Sequence, residues 1–102
     1  MMKLVLTAFQ KRTDAFGFAK KLLKAKLAGC CTALPGAVSL YEWKGRQVKA
    51  AETLLLIKTT ASKLNRLKAF FENDHPYELP EFLCWDADAT KEFGIWMEKN
   101  VK

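Results

Sequence analysis

Histidine, proline and cysteine are all scarce in this 102-residue chain: one His, three Pro and three Cys. The single imidazole, His75, excludes a histidine-rich metal centre within one chain. Cys30, Cys31 and Cys84 show no CxxC spacing, which excludes a zinc ribbon and a thioredoxin-type redox motif. Neighbouring side chains on a strand point to opposite faces, so Cys30 and Cys31 do not make a ligand pair. Three buried, reduced thiols are the expectation. No run of 18 apolar residues exists, so neither a membrane span nor a membrane partner is expected. The apolar start, residues 1–9, is short and meets Lys11 and Arg12 where a signal peptide needs small residues. It reads as a first strand of a cytoplasmic protein. No P-loop, GxGxxG, Ser-His-Asp order or recurring carboxylate pair is present. No catalytic residue is therefore assigned, and no enzyme is expected.

Acidic residues are few in the first half. Residues 1–51 carry ten Lys/Arg and two Asp/Glu, whereas residues 52–102 carry seven and nine. A basic half raises the question of nucleic acid. The cations lack an RNP aromatic pattern, a Gly-rich clamp or an Arg-rich tract, so a solvated helix face is the preferred reading and nucleic acid is not an expected partner. An RNA-binding module remains the lesser alternative.

With 50% apolar and 12% aromatic residues, the chain reads as one globular domain over 1–102. Residues 3–9 are strand-like. Thr13 or Asp14 is expected to cap a helix that buries Ala15, Ala19, Leu22 and Leu23, and Gly29 to stop it. Two extended stretches, 30–43 and 46–60, flank Lys44-Gly45. That pair suits a two-residue hairpin turn matching Trp43 with Arg46, Tyr41 with Val48 and Ser39 with Ala50. Pro35-Gly36 predicts a bulge. Residues 54–57, apolar on both faces, suit a central strand covered on both sides. A second helix is expected over 62–73, with Leu64, Leu67 and Phe71 on one stripe. Pro76 ends it. Residues 80–85 read as a last strand. Asp88 or Thr90 caps a third helix with Phe93, Trp96, Met97 and Val101 on one face.

The order β-α-β-β-α-β plus a terminal helix predicts an α+β, ferredoxin-like fold: a four-stranded antiparallel sheet with helices on one face. The hairpin arms, about a dozen residues each, reach about 40 Å, beyond what two helices can cover. Aromatic side chains out there would be wet in a monomer. An arm lying across a subunit interface is the expectation.

The segments 27–45 (LAGCCTALPGAVSLYEWKG), 52–60 (ETLLLIKTT) and 75–82 (HPYELPEF), with the opening LVLTAF and the spacing of Phe93 and Trp96, resemble the CutA family of divalent-cation tolerance proteins. The resemblance spans nearly the whole chain. It implies a homotrimer of PII-like architecture whose long hairpins cross between protomers. It also implies a role in divalent-metal tolerance or signalling, with copper binding in some members and no firm enzymatic activity. The segment QKRTDAFGFAKK departs from the family's acidic first helix. Ala51 and Trp85-Asp86 depart as well, and the basic segment and Ala51 remove negative charge.

His75 and Glu78 are the candidate ligands for a divalent ion such as Cu²⁺, although they sit three apart across a proline and form no helical pair. The preferred alternative makes His75 a structural corner. Tyr41, Trp43, Glu52, Lys58 and Tyr77 are candidates for an inter-subunit cleft or interface. Lys58, inside an apolar strand, is expected to pair with Glu52 or Glu78. A PII-like sensor of a small molecule or nucleotide is the main alternative function.

Overall fold

Alternation of burial along the first strand sets the layers. In β1 (Met2–Phe9), Val5, Thr7 and Phe9 are fully buried while Leu4 and Leu6, which alternate with them, are only half-buried. The computed structural model describes residues 2–101. The elements that follow are α1 (Arg12–Lys24), β2 (Cys30–Trp43), β3 (Arg46–Thr60), a 3₁₀ turn (Ala61–Lys63), α2 (Leu64–Asp74), β4 (Leu83–Ala87) and α3 (Lys91–Asn100). The strands form one antiparallel sheet in the order β2-β3-β1-β4, as the ferredoxin-like arrangement requires.

Val5, Phe9, Leu55 and Ile57 from the sheet meet Ala15, Phe18, Ala19 and Leu22 of α1 and Leu67 and Phe71 of α2 in one core. Directly opposed residues in an antiparallel pair share a face. The other face therefore carries the rows Leu4–Lys58–Cys30 with Trp85, and Leu6–Leu56–Thr32 with Leu83. Among the described residues α3 reaches only one end of that face, where Met2, Thr60 and Ala87 line a cavity with Gly94, Ile95 and Met97. Leu34, Leu83 and Trp85 are 48%, 51% and 44% exposed. Residues 54–57 thus have α1 and α2 on one side, and among the described residues the second cover expected for them does not lie over them.

The hairpin register is the expected one: Trp43↔Arg46, Tyr41↔Val48, Ser39↔Ala50. Lys44 and Gly45 both have positive φ (51° and 79°), the signature of a type I′ turn. Pro35 and Gly36 oppose Thr53 alone, making a bulge between Leu34 and Ala37 at which Gly36 takes φ 85°. The arm stretches the molecule to 45 × 25 × 22 Å. Its accessible surface is 6744 Å², against about 5,800 Å² for a compact monomer of this mass.

Several expectations are corrected. Helix α1 begins one residue after Lys11, which caps it with no side-chain bond; Thr13 and Asp14 lie inside the first turn. Gly29 does not stop α1. The helix ends in a Schellman motif, with Lys26 N–H on the Leu23 carbonyl (3.1 Å) and Leu27 N–H on the Leu22 carbonyl (3.0 Å). Lys26 holds the left-handed position at φ 61°. Gly29 instead lies against Met97 of α3, where a Cβ would strike the thioether. Leu23 is 40% exposed, and Phe18 takes its place in the core. Strand β4 starts at Leu83, not residue 80, since Pro80 offers no N–H to a ladder. Thr90 caps α3 by accepting from Phe93 N–H (3.3 Å). Met97 and Val101 are buried, whereas Phe93 and Trp96 are exposed and lie against each other with ring centres 5.6 Å apart. The thiols are not all buried: Cys84 is exposed, while Cys30 and Cys31 are half-buried, Cys31 against the core.

Candidate functional site

Helix α2 closes on His75, whose N–H bonds the Phe71 carbonyl (3.1 Å) and whose backbone is already extended (φ −75°, ψ 133°). The residue before a proline is forced into that region, so Pro76 fixes the exit of the chain. The imidazole then turns inward. It stacks on Phe9 at 4.3 Å and lies among Phe18 and Phe71. Its Nδ1 accepts the Tyr77 N–H (3.1 Å), and its Nε2 lies 3.1 Å from the Thr7 hydroxyl. An accepting Nδ1 places the proton of the neutral ring on Nε2. Burial pushes the His75 pKa down; a hydrogen bond with the Ala8 backbone and the charge of Asp14 pull the other way without winning. Both nitrogens are therefore committed inside the chain, in a neutral ring.

The ladder between β1 and β3 ends at Phe9↔Thr53, so Glu52 is the first β3 residue without a β1 neighbour. Tyr77 fills that gap. Its hydroxyl donates to Glu52 Oε2 over 2.6 Å, a length typical of charge-assisted O–H···O bonds. Glu52 is only 8% exposed. Burial, then this bond, raises the Tyr77 pKa, so the phenol remains a donor.

One residue on, Glu78 is exposed and reaches Lys44 at the hairpin tip (3.7 Å). The Lys44 ammonium also lies 5.7 Å from the Trp43 ring centre. Exposed pairs of this kind contribute little. The loop after His75 thus touches the arm firmly at its base and loosely at its tip. Tyr41 and Trp43 remain 43% and 37% exposed on the arm.

Lys58 does not pair with Glu52 or Glu78. Its ammonium lies 3.2 Å from Thr32 Oγ1 and 3.6 Å from Cys30 Sγ, on the uncovered sheet face, with no carboxylate of the described residues in ion-pair range.

A divalent ion does not fit one protomer. Among the described residues no three His, Cys, Asp or Glu side chains gather as a ligand group. Glu78 faces Lys44, His75 has no free nitrogen, and burial holds the Cys31 thiol protonated with a pKa raised to about 12. Thr7 and Phe9 escaped the sequence reading. A lone threonine on the core side of an apolar strand was the available signal, because a buried hydroxyl needs a partner.

Residues 3–100 match the family model for the CutA1 divalent ion tolerance protein. The chain belongs to the CutA1 family. The divalent-cation tolerance protein CutA of Thermus thermophilus is 35% identical over 102 residues, covering 99% of both chains. A solved structure of a Thermus thermophilus divalent cation tolerance protein superposes at TM-score 0.94, with 34% identity and full coverage of both chains. A CutA structure from Archaeoglobus fulgidus, described as a periplasmic divalent cation tolerance protein, superposes at TM-score 0.95 with 26% identity, again over all of both chains. The CutA relatives carry names of tolerance proteins and not of enzymes.

Proposed function

We propose that the chain works in tolerance of divalent cations as a non-enzymatic homotrimer in the cytoplasm, joined through the open sheet face and the hairpin arm. One observation carries this reading: the leucine rows of that face, ending in Leu34, Leu83 and Trp85, stay half-exposed or exposed while α1 and α2 pack on the opposite side. Burying each of these side chains is worth about 1.5–3 kcal/mol. Tyr41, Trp43, Glu52, Lys58 and Tyr77 then line or brace the cleft between copies, as in a PII-like trimer. A bound ion such as Cu²⁺ takes donors from more than one copy, with Glu78 supplying a carboxylate. His75 serves as the residue that positions Tyr77 and Glu78. The three free thiols agree with a reducing compartment, although the Archaeoglobus relative is described as periplasmic.

Calorimetric titration of Cu²⁺ into the chain tests the ion. Binding that weakens on dilution below the assembly concentration, and on Glu78→Gln, supports a shared site. Full-affinity binding by a monomeric variant refutes it. A PII-like sensor of a small anionic molecule has one observation in its favour, the half-buried Lys58 ammonium, which meets no carboxylate of the described residues. A thermal-shift screen of divalent metals against nucleotides separates the two, since a ligand at 100 times its Kd stabilises by about 2.7 kcal/mol.

A further inference from the structure

The charge of this protein is concentrated on one helix and its flanks. Residues 11–26 hold six Lys/Arg and a single acid, Asp14, a net +5 of the chain's +6. All six cations are exposed, and among the described residues only Lys21 reaches a carboxylate, Asp74 of α2 at 3.8 Å. The same helix exposes two large apolar side chains, Phe16 at 42% and Leu23 at 40%. They lie seven residues apart, hence on one stripe. Arg12 sits one turn before Phe16, its guanidinium 5.6 Å from the ring centre, and Lys20 one turn after. At 3.6 residues per turn, Lys21 lies about 140° round from Phe16, so the stripe faces away from α2.

We propose that this stripe docks the protein onto an anionic lipid surface, with Phe16 and Leu23 entering the headgroup boundary and Arg12, Lys20 and Lys24 meeting lipid phosphates. Cations alone would serve any polyanion. The interleaved phenylalanine and leucine are what a bilayer rewards and a phosphate backbone does not. A helix of 13 residues is too short to span, and no described helix is long and apolar enough to do so; the contact is peripheral. A stripe this small gives weak, reversible binding that salt screens.

Flotation of the full chain with phosphatidylcholine vesicles carrying about one-third phosphatidylglycerol tests the proposal. The protein should float with these vesicles at low salt, float much less at high salt, and stay behind with pure phosphatidylcholine. Lys20→Glu with Lys24→Glu should weaken binding by more than about tenfold. Phe16→Ser with Leu23→Ser should weaken it several-fold while keeping the salt dependence. Absence of flotation, or flotation unchanged by both pairs, overturns the proposal. So does tighter binding to single-stranded RNA at equal phosphate, which would make the stripe a nucleic-acid surface. A change of oligomeric mass on Phe16→Ser with Leu23→Ser also overturns it, because the stripe would then face a second copy of the chain.

Discussion

Tyr77 and Glu52 are joined by a 2.6 Å hydrogen bond between the loop that follows His75 and the first residue of β3 beyond the β1 ladder. The bond ties the root of the hairpin arm to the domain. Its geometry descends from Pro76, which sets the backbone of His75, through the His75 imidazole, which holds Tyr77 N–H, to the buried carboxyl of Glu52.

Removing the phenol hydroxyl leaves Glu52 buried without its donor. Tyr77→Phe should therefore cost about 1–3 kcal/mol in chemical denaturation, the penalty of an orphaned buried polar group. It should also weaken self-association. A variant as stable as the parent would show that water replaces the hydroxyl without loss and that the arm is not held there.

The lowered pKa of His75 gives stability a pH dependence. Unfolded, the ring takes a proton near its ordinary value of about 6.5; folded, it resists protonation to lower pH. The unfolded chain then binds more protons in that window. The contribution of His75 is complete above about pH 6.5 and is lost as pH falls through the lowered folded value. Urea midpoints measured from pH 7.5 downward should decline in this window, and His75→Gln should flatten the decline. An equal slope in both proteins would contradict the buried neutral ring.

Lys26 occupies the left-handed position of the Schellman motif at φ 61°, where glycine has no Cβ penalty. Lys26→Gly should raise stability by about 0.5–1 kcal/mol, read as a higher urea midpoint with unchanged slope. A loss of stability would mean that the exposed lysine contributes more than the strain it costs.

The fold was legible where local chemistry decides it. Lys44-Gly45 demanded a tight two-residue turn, Pro35-Gly36 a bulge and Pro76 a helix end, and each lies where those residues put it. The misreadings arose where distant contacts decide. Phe93 and Trp96 share a stripe with Met97, yet only Met97 has Gly29 to pack on. Leu23 has helical spacing for the core but faces solvent, while Phe18 reaches His75 and Phe71. The site was half legible. Tyr77 and Glu52 were singled out separately, but their bond spans 25 positions, and that of His75 with Thr7 spans 68. Lys58 was expected to find a carboxylate; both candidates had nearer partners in Tyr77 and Lys44.

Leu83 stands on the open face, 51% exposed in the single chain. Leu83→Lys should leave the protomer folded, with unchanged circular dichroism, and should loosen the proposed trimer by at least the roughly 1.5–3 kcal/mol lost with a buried leucine. Unaltered association across a dilution series would place the interface elsewhere.

The central claim is that the uncovered leucine face and the arm of each chain are completed by sister chains. Light scattering coupled to size-exclusion chromatography on the unmodified protein at micromolar concentration tests it most directly. The expected mass is about 35 kDa, three times the 11.6 kDa chain. A folded particle of 11.6 kDa would contradict it.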